Sequence, residues 1–307
     1  MIFCYFVNNN CYNRMAGKRN IQVDAERMRS YSTVFSSTSF AKLLATDDYS
    51  FIESKIQRYD KEKVGAGVVT YLDYITYIYK QLQQNYRCEY IYKNTVINQL
   101  LLKKYGTKDT LVVNEFKVGN SVADLVLFNG TSKAFEIKTE LDSARRLENQ
   151  LCHYTRLFKE CYIVTHENLL DKYSAIPENI GILVIKSCKN GIKLEEIRPA
   201  LANNCLDASM LMRSIRTSEY KNIVKAYYRA LPAMNSFNMF ETCYGMIRRI
   251  PEDELHGLFV SELKKRRSNT KNLRSFHKEI RQLCLSMNLS LSEYQQLENK
   301  LSIPINI

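Results

Sequence analysis

The sequence predicts an α/β protein, in which helical regions precede and follow a mixed β-sheet. Apolar residues recur at helical spacing before Gly106 and again after about Leu201, which is typical of amphipathic helices. Between these regions, short β-branched segments separated by Gly and Asn turns predict strands, and one helical segment interrupts them. This alternation is typical of a sheet with helices packed on it. We therefore divide the chain into an N-terminal helical region (1–88), a core (89–200) and a C-terminal basic helical region (201–307).

The individual elements follow from spacing and from turn residues. Gly106 provides a natural end to the first group of helices, and Asn129-Gly130 is a strong hairpin signal. Pro251 suits a helix start. The predicted helices span residues 39–44, 49–59, 70–84, 89–105, 143–158, 208–215, 218–231, 234–249, 252–267, 271–287 and 291–301. The predicted strands span residues 110–118, 122–128, 134–139, 161–165, 180–186 and 193–198.

Composition excludes several classes of protein. With 307 residues, 45% of them hydrophobic, the chain is expected to bury a real core and is not a disordered tail. No stretch of apolar residues is long enough for a transmembrane helix. The nine cysteines form no CxxC pair, so we expect neither a disulfide framework nor a zinc ribbon and predict a cytoplasmic protein. Met1–Val7 lacks the features of a signal peptide, and Met15 is an alternative start.

The charge is distributed unevenly along the chain. The net charge is +12; residues 111–200 are neutral, whereas the segments on either side are both basic. A neutral centre between basic flanks is what a catalytic centre acting on an anionic substrate would show. The alternative is the ordinary variation of a soluble protein. The basic run that begins at Lys264–Arg267 has the same two interpretations, a nucleic-acid contact or a solvated surface.

An acidic and a basic side chain share one face of the third predicted strand. Side chains alternate along a strand, so Phe135 and Ile137 point to one face while Glu136 and Lys138 point to the other. Such a pair is costly to bury without a further partner, and a metal ion is one such partner.

The hairpin at Asn129-Gly130 brings the preceding strand, with Asp124, beside Glu136. Two carboxylates and the carbonyl of Ile137 would form an oxygen-rich site suited to Mg²⁺ or Mn²⁺. Lys138 could then orient or help to deprotonate a water, and Glu115 is a candidate outer ligand. The alternative for a bare pattern of this kind is a surface ion pair.

The following helix carries polar residues spaced four apart: Arg146, Gln150 and Tyr154. Residues at this spacing line one face, which could hold a phosphate backbone next to the carboxylates. The alternative is a solvated helix face.

The stretch from Glu115 to Thr165 resembles the core of the PD-(D/E)xK phosphodiesterase superfamily, the restriction-endonuclease-like fold. Asp124 corresponds to the aspartate of its second core strand, and Glu136 with Lys138 to the E-x-K of the third. Gln150 and Tyr154 match the Q-x-x-x-Y helix of its RecB-like members. The resemblance implies a mixed sheet flanked by helices and metal-dependent cleavage of nucleic acid. Because some members carry another acidic ligand on the preceding helix, Glu89 is a further candidate.

The sequence therefore predicts a Mg²⁺- or Mn²⁺-dependent nuclease, with DNA favoured over RNA. Asp124 and Glu136 would hold the metal, Lys138 would position the water, and Arg146, Gln150 and Tyr154 would orient the substrate. A role in bacterial defence, repair or mobile-element maintenance rests on the resemblance alone. Two alternatives stay open: a module that binds nucleic acid without cutting it, and a helical scaffold for an unknown protein partner.

Overall fold

The computed structural model describes residues 24–306 except 141, 174 and 190. Met1 and Met15, the two alternative starts, lie outside the described residues. Contacts divide the chain into two compact units, one formed by the chain up to Tyr86 together with Leu297–Ile307, the other by Arg87–Gln296. The first boundary lies close to the predicted 88/89 boundary. The predicted parts 89–200 and 201–307 are not separated by this division, because residues 87–296 fall in one unit.

The described part of the first unit is helical, as the apolar spacing predicts. Thr70 begins its longest helix with a capping box, in which the Thr70 hydroxyl accepts from the Asp73 backbone N–H and the Asp73 carboxylate accepts in return. Residues 24–32 form a helix that the sequence analysis did not predict. The helices are α1 (24–32), α2 (Ser37–Thr46), α3 (Ser50–Lys55, continued as a π-helix over Ile56–Asp60) and α4 (Tyr71–Asn85).

The second unit contains a six-stranded mixed sheet flanked by helices, so the predicted α/β class is confirmed at that level. The strands follow one another across the sheet in chain order. The β3–β4 and β4–β5 pairs are parallel, and the other three are antiparallel. The strands are β1 (Leu111–Val118), β2 (Ser121–Phe128), β3 (Ser132–Ile137), β4 (Glu160–His166), β5 (Gly181–Cys188) and β6 (Gly191–Arg198).

Two predicted turns fold the first three strands into consecutive hairpins. Gly119 and Asn120 join Val118 to its partner Ser121. Gly119 has φ 59°, and a Cβ at this position would lie 2.9 Å from the sulfur of Met210. Glycine therefore suits both the left-handed backbone and the close approach of α7.

Helices cover the sheet and account for most of the remaining chain of this unit. The parallel connection from β3 to β4 contains α6, as parallel pairing requires a crossover. A shared core includes Phe128 of β2, Leu151 of α6 and Phe259 of α10. The helices are α5 (Glu89–Thr95, continued as a π-helix over Val96–Tyr105), α6 (Leu147–Thr155), α7 (Ala208–Ser214), α8 (Thr217–Tyr228), α9 (Met239–Ile247), α10 (Glu252–Leu263), α11 (Arg281–Ser286) and the start of α12 (Leu291–Leu301), whose residues from Leu297 onwards belong to the first unit.

The single helix predicted over residues 271–287 is wrong. The chain forms a 3₁₀ segment over Thr270–Ser275 and resumes a helix only at Arg281. Between them, Phe276 has extended backbone dihedrals, its ring packs 4.3 Å from that of Tyr294, and its carbonyl accepts from Arg281 Nε. Tertiary packing of this aromatic ring thus overrides the local helical spacing.

Candidate functional site

The β2–β3 hairpin brings the Asp124 carboxylate to the edge of β3. The two strands pair from Phe128↔Ser132 to Leu125↔Phe135. Beyond that pair, Asp124 Oδ2 accepts a hydrogen bond from the backbone N–H of Ile137 at 2.7 Å. The side chain thus occupies the place of a backbone acceptor, which fixes it beside the Glu136–Lys138 segment.

Glu136 and Lys138 lie together on one face of β3, as strand alternation predicts. Lys138 Nζ donates to Glu136 Oε1 at 2.7 Å and to Gln150 Oε1 of α6 at 3.2 Å. Glu136 is 2% exposed and Lys138 8% exposed. The two charges are therefore buried next to each other. This pairing reduces the free-energy cost of removing each charge from water.

Helix α6 supplies further contacts to this pair from the predicted polar face. The Tyr154 hydroxyl lies 2.8 Å from Glu136 Oε2 and 2.7 Å from the carbonyl oxygen of Val122. Gln150 and Tyr154, one helical turn apart, therefore both reach the Glu136–Lys138 pair. Arg146, a further turn away, is exposed. Within the described residues it makes no hydrogen bond or ion pair to the carboxylates.

Sequence reasoning assigned no role to Lys93 of α5, although the structure brings it to the site. Its ammonium group lies 3.3 Å from Asp124 Oδ1 and 2.5 Å from Glu89 Oε1. The Lys93 side chain is 7% exposed, whereas that of Glu89 is 56% exposed. The i,i+4 spacing of Glu89 and Lys93 was the one signal available in the sequence, but it does not indicate a contact with β2.

The two additional acids considered as ligands take different positions. Glu89 reaches the site through Lys93, and its charge raises the pKa of Asp124. Glu115 has an exposed side chain and a φ of 53°. It lies between the paired residues Asn114 and Phe116 of β1. Within the described residues, no hydrogen bond or ion pair connects it to Asp124 or Glu136.

The electrostatics of the site raise the pKa of both carboxyl groups. Burial raises the pKa of Asp124, an effect that the nearby Lys93 opposes. Burial also raises the pKa of Glu136, and the charge of Asp124 raises it further, against the effect of Lys138. Closely placed carboxylates with raised pKa values favour a bound cation, because a cation stabilises both ionised forms.

The donor set suits a hard divalent cation. Mg²⁺ is usually held by one or two carboxylates with waters completing its octahedron. Asp124 and Glu136 provide the carboxylates. The N–H of Ile137 faces Asp124. Because the N–H and C=O groups of one strand residue point to the same side, the carbonyl of Ile137 faces Asp124 as well. In the described part of the chain, no group of three or more His, Cys, Asp or Glu side chains is placed to hold a metal. The structure therefore brings neither Glu89 nor Glu115 into this set.

His166 is 2% exposed at the end of β4. Its Nδ1 accepts from the backbone N–H of Asn168 at 3.2 Å and caps the next helical turn. Burial, followed by the charge of Arg87, lowers its pKa. These contacts support a local structural role.

Among the described residues, no helix has both the length and the apolar character needed to cross a membrane.

Comparisons with known proteins give one family match. The family described as bacteriophage P4 protein cII matches residues 82–290. Protein cII of Enterobacteria phage P4 is 28% identical over 130 residues, which are 41% of this chain and 49% of the relative. The chain thus spans about half the length of this curated relative. A solved structure described as "SPO1766 protein of unknown function from Silicibacter pomeroyi" is 12% identical, covers 47% of this chain and 94% of its own, and has a TM-score of 0.30.

Proposed function

The chain belongs to the bacteriophage P4 protein cII family, and we propose that it is a metal-dependent nuclease with a restriction-endonuclease-like core of the PD-(D/E)xK type. The observation that carries the proposal is the convergence of Asp124, Glu136 and Lys138 at the end of the β2–β3 hairpin. The substrate is nucleic acid, with DNA favoured over RNA. Among the biological settings expected for such an enzyme, the match to a phage protein favours mobile-element maintenance.

The residues around the carboxylates have distinct tasks in this proposal. Asp124 and Glu136 would hold Mg²⁺ or Mn²⁺, which supplies Lewis-acid stabilisation of the charge that develops during hydrolysis. Lys138 presents its ammonium group to the water that attacks the phosphorus and to a phosphate oxygen. Tyr154 orients Glu136 through its hydroxyl, and the N–H of Ile137 orients Asp124.

Helix α6 orients the substrate strand. Gln150 holds the Lys138 ammonium group from the helix side. Arg146 is exposed one turn before Gln150, so its guanidinium is available to a phosphate of the bound strand. In this proposal the exposed Arg146 contacts the substrate, whereas the buried Tyr154 positions the Glu136 carboxylate.

A cleavage assay with a matched pair of lysine variants tests the proposal. Purified protein is incubated with end-labelled linear, circular and single-stranded DNA and with RNA, in Mg²⁺, Mn²⁺ or EDTA. Lys138→Met is compared with Lys133→Met, because Lys133 lies on the same strand, is also buried, and is paired with Glu160 outside the site. We expect metal-dependent cleavage that Lys138→Met abolishes and Lys133→Met retains. Equal activity of the two variants would contradict the role of Lys138.

A second candidate function is a module that binds nucleic acid without cutting it. The observation that favours it is that each carboxylate already has an ammonium partner, Lys93 for Asp124 and Lys138 for Glu136. Titration with Mn²⁺ followed by electron paramagnetic resonance separates the two functions. Binding of Mn²⁺ that Asp124→Asn removes favours the nuclease, whereas nucleic-acid binding without Mn²⁺ binding or cleavage favours the module.

A further inference from the structure

A basic cleft runs along the edge strand of the sheet. It has a volume of about 340 Å³ and is lined by Leu111–Asn114 of β1 on one side. Arg216, Arg266 and Arg267 line it from the helical region that follows the sheet, together with Ser286 and Asn288. None of the described residues that line the cleft is acidic. Residues far apart in the sequence thus converge on one electropositive surface.

Basic side chains also line a second cleft at this edge of the sheet. This smaller cleft of about 200 Å³ adjoins the first and shares Leu111, Arg266 and Ser268 with it. Lys264 and Lys271 line this second cleft, and Asp109 is the acid there. Together the two clefts form a continuous surface, the β1 cleft, in which basic side chains outnumber acidic ones.

The arginines differ in how far their charge is already balanced. Glu219 accepts from Arg266 through both oxygens, at 2.7 and 2.8 Å. Arg216 and Arg267 are exposed. The acid near Arg216 is Glu219, which is already bound by Arg266. The acid near Arg267 is Glu293, which accepts from the Ser290 N–H at the start of α12. Arg216 and Arg267 therefore retain donors for an external anion.

The position of the cleft relates it to the carboxylate site. Asn114 lines the cleft and pairs across the sheet with Leu125, the residue next to Asp124. Neighbouring strands are about 5 Å apart and residues along a strand about 3.4 Å apart, so the Cα atoms of Asn114 and Asp124 are separated by roughly 6 Å. One wall of the cleft is therefore the strand that lies next to the residue carrying one of the two carboxylates.

We propose that the β1 cleft binds the phosphate backbone of nucleic acid next to the carboxylate site, with Arg216 and Arg267 as its phosphate contacts. The occupant rests on the proposed function: the cleft is basic and one of its walls is the strand beside Asp124, which favours nucleic acid over another polyanion. Arginine forks match the geometry of phosphate oxygens. The cleft gives a role to the Lys264–Arg267 run, which the carboxylate site does not use.

Binding measured without cleavage tests the cleft on its own. Fluorescence anisotropy of a labelled 20-base-pair DNA duplex is recorded in EDTA at several salt concentrations. The variant Arg216→Ala/Arg267→Ala is compared with Lys189→Ala/Lys193→Ala, which removes the same charge at β6, the opposite edge of the sheet. Losing two phosphate contacts lowers the slope of log K against log salt by about 1.8, and we expect at least about tenfold weaker binding at 0.1 M salt. The β6-edge variant is expected to bind as the unchanged protein does.

Each outcome decides between the cleft and the nuclease. An arginine variant with unchanged affinity and salt slope would overturn the β1 cleft, as would an unchanged protein that does not bind the duplex. Binding that depends on Arg216 and Arg267, in a protein that never cleaves with Mg²⁺ or Mn²⁺, would support the cleft and reject the nuclease. Metal-dependent cleavage, together with DNA binding that does not depend on Arg216 and Arg267, would support the nuclease and reject the cleft.

Discussion

Each unit of the molecule buries a carboxylate among tyrosine and basic side chains, and the two clusters differ in how that charge is balanced. Asp60 in the first unit is fully buried. It accepts from the hydroxyls of Tyr31, Tyr74 and Tyr77 at 2.5, 2.7 and 3.3 Å, and it pairs with Arg27. Burial, and then the hydrogen bond to Asp60, raise the pKa of Tyr74, so its hydroxyl stays protonated as a donor. Each oxygen of this carboxylate thus accepts two hydrogen bonds, which satisfies its capacity as an acceptor.

The carboxylate site of the second unit places two carboxylates, rather than one, beside two ammonium groups. Burial raises the pKa of Glu136, and the charge of Asp124 raises it further. A closed set of donors around one charge fixes a structure. Two carboxylates that are close enough for one to raise the pKa of the other can share a cation and carry chemistry. This contrast leads us to assign a structural role to the Asp60 cluster and a functional role to the Asp124–Glu136 pair.

The largest expected effect is the loss of cleavage activity when the two carboxylates of the second unit are neutralised. Asp124→Asn/Glu136→Gln keeps the shape of both side chains but removes their charges. We expect cleavage to fall at least about 1000-fold, equivalent to about 4 kcal/mol, in a gel assay with Mg²⁺. The urea midpoint is also expected to fall, because Lys93 and Lys138 lose their buried carboxylate partners, so circular dichroism is recorded to show that the variant is folded under the assay conditions. Cleavage at the unchanged rate would contradict the functional assignment.

The next effect concerns stability in the first unit. Asp60→Ala leaves Arg27 and three hydroxyls without their acceptor. Breaking a buried pair in this way costs about 3–5 kcal/mol. Hydrogen exchange of α4 amides, read by mass spectrometry, measures the loss. Glu62→Ala, which removes an exposed acid two residues later, is the control. Equal protection in the two variants would show that the Asp60 cluster adds little to stability.

A buried histidine gives the second unit a pH dependence that does not involve the carboxylates. Burial, and then the charge of Lys159, lower the pKa of His256 from 6.5 to about 4. The unfolded chain therefore takes up a proton near pH 6.5 and the folded chain only near pH 4, so stability is lost as the pH falls between these values. Between pH 7 and 5 this amounts to about 2 kcal/mol.

Urea unfolding at pH 7 and pH 5 checks this value by comparing the protein with His256→Gln. The variant is expected to lose less stability over the same interval, because glutamine does not titrate. The hydroxyl of Ser132, 2.9 Å from His256 Nε2, remains available to the amide. The same pH dependence in both proteins would reject His256 as its source.

The smallest effect compares one tyrosine in each cluster. Tyr154→Phe removes the hydroxyl between Glu136 and the carbonyl of Val122, and we expect a loss of about 1 kcal/mol, since Lys138 remains as a partner of Glu136. Tyr74→Phe is expected to cost more, because Asp60 is fully buried and paired with Arg27. Chemical unfolding followed by circular dichroism measures both. A larger loss for Tyr154→Phe would reverse the contrast between the clusters.

The strands that carry the site follow from local sequence rules. The segment predicted over 122–128 is β2 (Ser121–Phe128), and that predicted over 134–139 begins within two residues of β3 (Ser132–Ile137). Period-two alternation and the Asn129-Gly130 turn depend only on neighbouring residues, so they place Glu136 and Lys138 on one face. The helical face that carries Gln150 and Tyr154 follows in the same way from a spacing of four residues.

The remaining features depend on residues distant in the sequence. The contact of Lys93 with Asp124 requires α5 to pack near β2, and the β1 cleft requires the segments around Arg216 and Arg267 to meet the sheet edge. Phe276 interrupts a predicted helix because its ring packs on Tyr294. By itself, the sequence determined the α/β class and the β2–β3 hairpin, since these follow from local periodicity and turn residues. Only the tertiary structure decided which charges balance one another, because burial and long-range contacts set the free energy of each charge.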